Sequence, residues 1–356
     1  MKVLFVPMFS MRSYATGQYA TLKDGNFQLS MSRILACDFE SVVVCVPRDA
    51  SDLDELNLKY KDLLEAGKIS FRLIEYGENA VDTRKTFWGV NWVPFWCAEK
   101  NFDLLISDIT GYKGLLPVVY NFNITKLPEL DRPYIDQFWE QDLEAIQTSL
   151  FTTVLNPRQR EYIVQQRPDL DSKVIVHSKC AHEDLMPKSV IQLASTKTIF
   201  WPFRISDKAY KWTEFLEAFK EQRLDAEGFT VVITDPNESS TDLPAFVTKI
   251  SPSKEEYYKI LSSRPIVVML DDIDTVLHPG TVEFFYYGCP VIAFYSDLIQ
   301  NPNMIAKLFQ LRSALNSIVY TKSKERMKSF VYKTGEIDSL YNKEFIQSRL
   351  TVEQPA

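Results

Sequence analysis

Histidine is scarce in this chain, with three residues in 356, so a histidine-based metal centre has little material to work with. Cysteine is nearly as rare: the five residues, Cys37, Cys45, Cys97, Cys180 and Cys289, are an odd number and share no CxxC spacing. That argues against a disulfide framework or a zinc site and for a reducing, cytoplasmic setting. No apolar stretch reaches the roughly 18 residues of a membrane span. The opening MKVLFVPMFSMRSY has a very short apolar run and reads as a first buried strand, not as a signal peptide. Positive charge is also in deficit, at net −7 and pI about 5.3. That argues against a generally basic nucleic-acid binder, though not against a local basic patch.

What is present is an ordinary globular composition, 46% hydrophobic and 24% charged, long enough for two domains. KVLFVPMF, SVVVCVP, ISFRLIEY, FDLLISD and PVVYNFN read as buried strands. Between the first three lie helical patterns, NFQLSMSRILACDF with Phe27, Met31, Ile34 and Leu35 on one face, and DELNLKYKDLLEAGK. MPKSVIQLASTK is a connector. The pattern then restarts with KTIFWPF, WTEFLEAFKEQ, FTVVITD, AFVTKI, SKEEYYKILSS and PIVVML. Continuous Val/Ile/Leu strands alternating with helices predict parallel sheets covered on both faces. The expected architecture is α/β, two Rossmann-like domains with a ligand cleft between them.

The stretch HPGTVEFFYYGCPVIAF reads as a short helix with marked ends, Pro279 and Gly280 opening it and Gly288 closing it, followed by a buried strand. It looks too short and interrupted to be mainly a core element. Backbone N–H groups around Gly280 and Thr281 would make an anion site. Glu283, read as lying in the first turn, puts a carboxylate where a pair of hydroxyls could donate to it. Phosphates and a ribose fit that description. A bland reading competes: Glu283 as a carboxylate stabilised by the helix dipole.

Several stretches together resemble glycosyltransferases of the GT-B fold, of the family-4 type. SLFTTVLNPRQREYIVQQRPDLDSKVIVHSKCAHEDL looks like the end of their N-terminal domain, and KTIFWPFRISDKAYKWTEFLEAFK like the start of their nucleotide-binding domain. ISPSKEEYYKILSSRPIVVML is similar to the strand and helix that approach the donor base, and TVEFFYYGCPVIAF to the ribose-binding glutamate, helix and strand. The match covers about residues 145–300, the rest following by pattern. The resemblance implies Arg204 and Lys208 (or Lys211) on the donor diphosphate and Glu283 on the ribose. Two departures stand out: Thr275 where the family often has a further glutamate, and Phe203 where it commonly has glycine. The implied domains are residues 1–190 for acceptor, 191–330 for nucleotide sugar, and a helical tail 331–356 returning to the first.

The implied activity is transfer of a hexosyl or pentosyl group from a nucleotide sugar, a UDP-sugar first among them, to a hydroxyl. Because the cations are side chains, no metal is required. If the reaction inverts, the first domain must supply a base. Asp108, directly after FDLLIS, and Asp136, in YIDQFWEQD, are the candidates, against the plain reading of loop carboxylates. The loop with Tyr14, Gly17 and Tyr19, and the segment with Trp88, Trp92 and Trp96, could hold acceptor or donor or simply pack. His177 and His182 flank the linker, and His278 lies at the helix entry. LRSALNSIVYTKSKERMKSFVYK is locally basic with interleaved aromatics. Such a run is usually a solvated helix face, but it could follow a phosphate backbone. On that basis the acceptor expected first is a hydroxymethylated pyrimidine in duplex DNA, as in phage enzymes, with Lys322, Lys324, Arg326 and Lys328 on phosphates and the base flipped out. A surface-glycan, lipid-linked or protein acceptor is the alternative, and a non-catalytic GT-B-like binding protein the third.

Overall fold

The computed structural model describes residues 1–7, 25–48, 50–74, 101–112, 114–122, 139–154, 157–177, 189–193, 195, 197–203, 205–206, 210–234, 242–270, 279–294, 304–305, 308–320 and 343–352. The chain divides into two compact units, residues 1–182 with 337–356, and 183–336.

The first unit is built on β1 (Lys2–Val6), β2 (Ser41–Pro47), β3 (Ile69–Ile74), β4 (Leu104–Ser107), β5 (Val118–Phe122), β6 (Phe151–Val154) and β7 (Val174–Val176). Their order across the sheet is β3-β2-β1-β4-β5-β6-β7, and every pairing is parallel. β4 and β5 are buried at every residue, which is why neither shows the alternation of a half-exposed strand. The helices are α1 (Gly25–Ala36), α2 (Leu53–Lys59), α3 (Lys61–Glu65), α4 (Trp139–Thr148) and α5 (Pro157–Gln166).

Two expectations need correction here. The segment predicted as one helix over DELNLKYKDLLEAGK is two, separated at Tyr60, whose φ −103° and ψ 17° lie off helical values. Tyr60 is 1% exposed and meets Phe71 of β3 edge-on, with ring centroids 5.9 Å apart, so burying the ring goes with giving up the helical turn. On α1, Phe27, Met31 and Ile34 are buried as the periodicity predicts, but Leu35 is half-exposed and Arg33 takes the interior with 3% exposure. Its guanidinium donates to the backbone carbonyl of His177 at 3.5 Å.

In the second unit β8 (Thr198–Trp201), β9 (Thr230–Ile233), β10 (Val247–Lys249), β11 (Ile266–Met269), β12 (Val291–Phe294) and β13 (Met304–Ile305) form a parallel sheet ordered β10-β9-β8-β11-β12-β13. α6 (Trp212–Glu221), α7 (Lys254–Ser262), α8 (Pro279–Tyr287) and α9 (Leu311–Tyr320) accompany it. Its core holds an aromatic cluster: Trp201 lies 4.8 Å from Phe215 and 5.0 Å from Trp212, centroid to centroid. α7 starts with a complete capping box, Ser253 and Glu256 each accepting from the other's backbone N–H. α8 ends where Gly288 takes φ 67° and the N–H of Cys289 returns to the carbonyl of Phe284 at 2.9 Å, a Schellman closure that favours glycine. The last helix, α10 (Lys343–Val352), belongs to the first unit, where Phe345 meets Phe151 of β6 at 5.3 Å.

In each sheet the strand order reverses beside its first strand, between β1 and β4 and between β8 and β11. Open parallel sheets bind ligands outside the carboxyl ends of the strands at such reversals. Asp108 directly follows β4, and Arg204 stands three residues after β8 in the sequence.

Candidate functional site

α8 is not the peripheral helix that its short sequence indicates. Gly280, Glu283, Phe284 and Tyr287 are buried, Phe284 completely, so the helix is a core element that also holds the site carboxylate. Glu283 is not in the first turn either, which contains no acidic residue; it lies one turn further in, too deep for a direct contact with the helix start.

Its surroundings are specific. Glu283 is 2% exposed, and its partners come from the neighbouring helix α7. Lys254 Nζ donates to Oε1 at 2.8 Å, Tyr258 Oη donates to Oε1 at 3.0 Å, and Tyr257 Oη donates to Oε2 at 3.1 Å. The ammonium also lies over both phenol rings, 4.6 Å from the centroid of Tyr257 and 4.5 Å from that of Tyr258. A buried carboxylate without partners would be strongly disfavoured; this one has an opposite charge and two hydroxyls. Burial, and then the charge of Glu283 beside them, holds the Tyr257 and Tyr258 hydroxyls well above the ordinary phenol range, so both stay protonated as donors. Helix spacing explains how α7 supplies all three. The capping box sets the start of the helix at Lys254, and Tyr257 and Tyr258 follow at i+3 and i+4, on one face.

Sequence reasoning singled out Glu283 and missed Lys254, Tyr257 and Tyr258. The signal was present as the spacing KEEYY after a capping serine, but which carboxylate that face meets is decided by the packing of α7 on α8. Gly280 lies in the first turn of α8 as expected, and Thr281 follows it there on the backbone. Lys211 precedes α6 as its N-cap residue, in the left-handed region at φ 54°. Arg204, Lys208, Gly17 and Asp136 lie outside the described residues, as do Tyr14, Tyr19, Trp88, Trp92, Trp96, His182, His278 and Lys322, Lys324, Arg326 and Lys328.

Asp108 is described, and it is built into the interior of the first unit at 5% exposure. Ser30 of α1 donates to Oδ2 at 2.6 Å, and Asn121 of β5 donates to Oδ1 at 3.1 Å. Asn121 in turn accepts from Thr153 of β6 at 2.9 Å. The carboxylate thus closes a buried polar network across the carboxyl ends of three strands. His177 is likewise buried, 4% exposed, just beyond β7.

A second carboxyl escaped the sequence reading. Asp142, in the first turn of α4, accepts from Thr110 at 3.0 Å, and Gln141 donates to the same hydroxyl at 3.3 Å. Burial raises its pKa to about 7, partly offset by the Thr110 hydrogen bond. Nothing in the local pattern marks it, and its partner Thr110 lies 32 residues away in the chain.

Among the described residues no group of three or more His, Cys, Asp or Glu could hold a metal ion. No described helix is long and apolar enough to cross a membrane.

No family model matches the sequence, and no curated protein does. Solved structures do match it over its whole length. The chain is similar to Anabaena HepE, crystallised with UDP and glucose, at TM-score 0.62 and 11% identity over 99% of this chain and 100% of that one. It is similar to WaaG, a glycosyltransferase involved in lipopolysaccharide biosynthesis, at TM-score 0.56 and 10% identity over 100% of both. A UDP-N-acetylglucosamine 2-epimerase also matches, at TM-score 0.53 and 11% identity over 100% of this chain and 98% of that one. At such identities the likeness is one of fold. The two parallel sheets with their helices are the α/β, two-Rossmann-domain GT-B glycosyltransferase fold.

Proposed function

We propose that the protein is a glycosyltransferase that takes a UDP-sugar in its second unit and transfers the sugar to a hydroxyl acceptor. The observation that supports this most is the fixed carboxylate of Glu283, held on α8 in the second Rossmann-like sheet of a GT-B fold. A ribose hydroxyl is the ligand group such an acceptor suits. In this reading Arg204 and Lys208 neutralise the diphosphate as it leaves, and the first turn of α8, with Gly280 and Thr281, adds its dipole. Gly17 adds to nucleotide-sugar binding, while the carboxylates Asp108 and Asp136 belong to the acceptor side, residues 1–190, with 191–330 binding the donor and 331–356 joining the first domain. Asp108 already accepts hydrogen bonds from Ser30 and Asn121.

HepE, with UDP and glucose, supports the choice of donor. WaaG, named for lipopolysaccharide biosynthesis, favours a glycolipid or surface-glycan acceptor over DNA. The hydroxymethylated pyrimidine remains a second reading, motivated by the basic, aromatic run from Leu311 to Lys333. Cytoplasmic location and host-cell action on phage DNA belong to that reading.

UDP release from UDP-sugars tests the proposal, measured alone, with lipopolysaccharide, and with hydroxymethylated duplex DNA, each with and without chelator. Acceptor-stimulated UDP release that survives chelator is expected. Stimulation by the DNA alone would move the acceptor to the second reading. Conversion of UDP-N-acetylglucosamine with no acceptor present would favour an epimerase-like reaction, and failure to bind any UDP-sugar would overturn the function.

A further inference from the structure

Resting on that donor reading, we infer that Lys254, Tyr257 and Tyr258 are positioning residues that leave Glu283 one acceptor position, on Oε2, for a single ribose hydroxyl. A carboxylate offers about four lone-pair positions. Two on Oε1 are taken, by Lys254 at 2.8 Å and Tyr258 at 3.0 Å, and one on Oε2 by Tyr257 at 3.1 Å. The symmetric contact, with both oxygens facing a vicinal diol, would require rotating the carboxylate out of these bonds. Such rotation is opposed at several points. The side chain is only 3% exposed, Lys254 is held over two rings, and Tyr258 packs against Tyr287 at 6.1 Å. The two ribose hydroxyls are therefore unequal in this site: one meets the carboxylate and the other does not.

Calorimetric titration of the full chain with UDP, 2′-deoxy-UDP and 3′-deoxy-UDP tests this. One deoxy analogue should bind about tenfold more weakly than UDP, the size of one charge-assisted hydrogen bond, and the other within about twofold. Glu283→Gln should remove the difference between the analogues. Tyr257→Phe vacates the second position on Oε2, so the hydroxyl that was indifferent should begin to count and both analogues should lose affinity. A merely structural role for Tyr257 would weaken UDP and both analogues alike. Equal losses for the two analogues in the wild type, or an unchanged pattern in Tyr257→Phe, would overturn the inference while leaving the donor reading intact. Absence of UDP binding to the wild type would bring down the donor reading and this inference together.

Discussion

Asp108 and Glu283 are both buried carboxylates, one directly after a strand and one on a helix, and the two units accommodate them differently. Asp108 receives hydroxyl and amide donors from α1 and β5, and Thr153 extends the network to β6. It knits strands together. Glu283 receives an ammonium and two phenols, all from one turn of one helix. It joins two helices and retains an unused acceptor position. The difference lies in who the partners are rather than in depth of burial: neutral donors from a helix and a strand remote from each other in sequence for Asp108, a cation and two phenols from one helix for Glu283.

The sharpest way to break the contrast is Lys254→Met. Removing the cation leaves a nearly buried carboxylate with two neutral donors, and breaking such a pair costs about 4 kcal/mol. Urea unfolding should show the loss, and a change below 1 kcal/mol would mean that Glu283 is effectively solvated. On the other side, Asn121→Ala takes one donor from Asp108 and the acceptor from Thr153. A loss of about 3 kcal/mol is expected, less than for the ion pair because a hydrogen bond to a charge is lost rather than the opposite charge itself. Reversed order of the two variants would refute the distinction between them.

Asp142 gives the smallest effect and a pH signature. Its folded pKa, about 7, lies above the ordinary carboxyl value of 3.8. Between these values the folded chain keeps a proton that the unfolded chain releases, so this residue's contribution to stability falls as pH rises from about 4 to 7. Asp142→Asn should therefore gain on the wild type across that window, by about 2 kcal/mol after allowance for its partial exposure, and level off above it. Denaturation of both proteins at pH 4, 6 and 8 measures the gap; a gap independent of pH would show that Asp142 titrates normally.

Much of this was legible in advance, for physical reasons that also mark its limit. The helix end at Gly288 and the start at Ser253 follow from short-range chemistry, and both are found. The break at Tyr60 was not legible, because KYKDLL is helical by every local measure and only the space beside Phe71 decides otherwise. Arg33 was read past for the same reason. Its interior place next to His177 joins residues 144 positions apart.

By itself the sequence determined most of the strands, most of the helices and the α/β class, since apolar runs and 3.6-residue periodicity are local consequences of burial. It also marked Glu283 as unusual through the punctuation around it. Only the tertiary structure decided the order of the strands, the core position of α8, and the three donors on a carboxylate that lies 25 to 29 residues further along the chain. Periodicity tells a segment which face to bury, but says nothing about which polar group waits on the other side. That pairing depends on how α7 packs against α8, and a buried carboxylate turns the outcome into a charge with fixed donors and one direction left open.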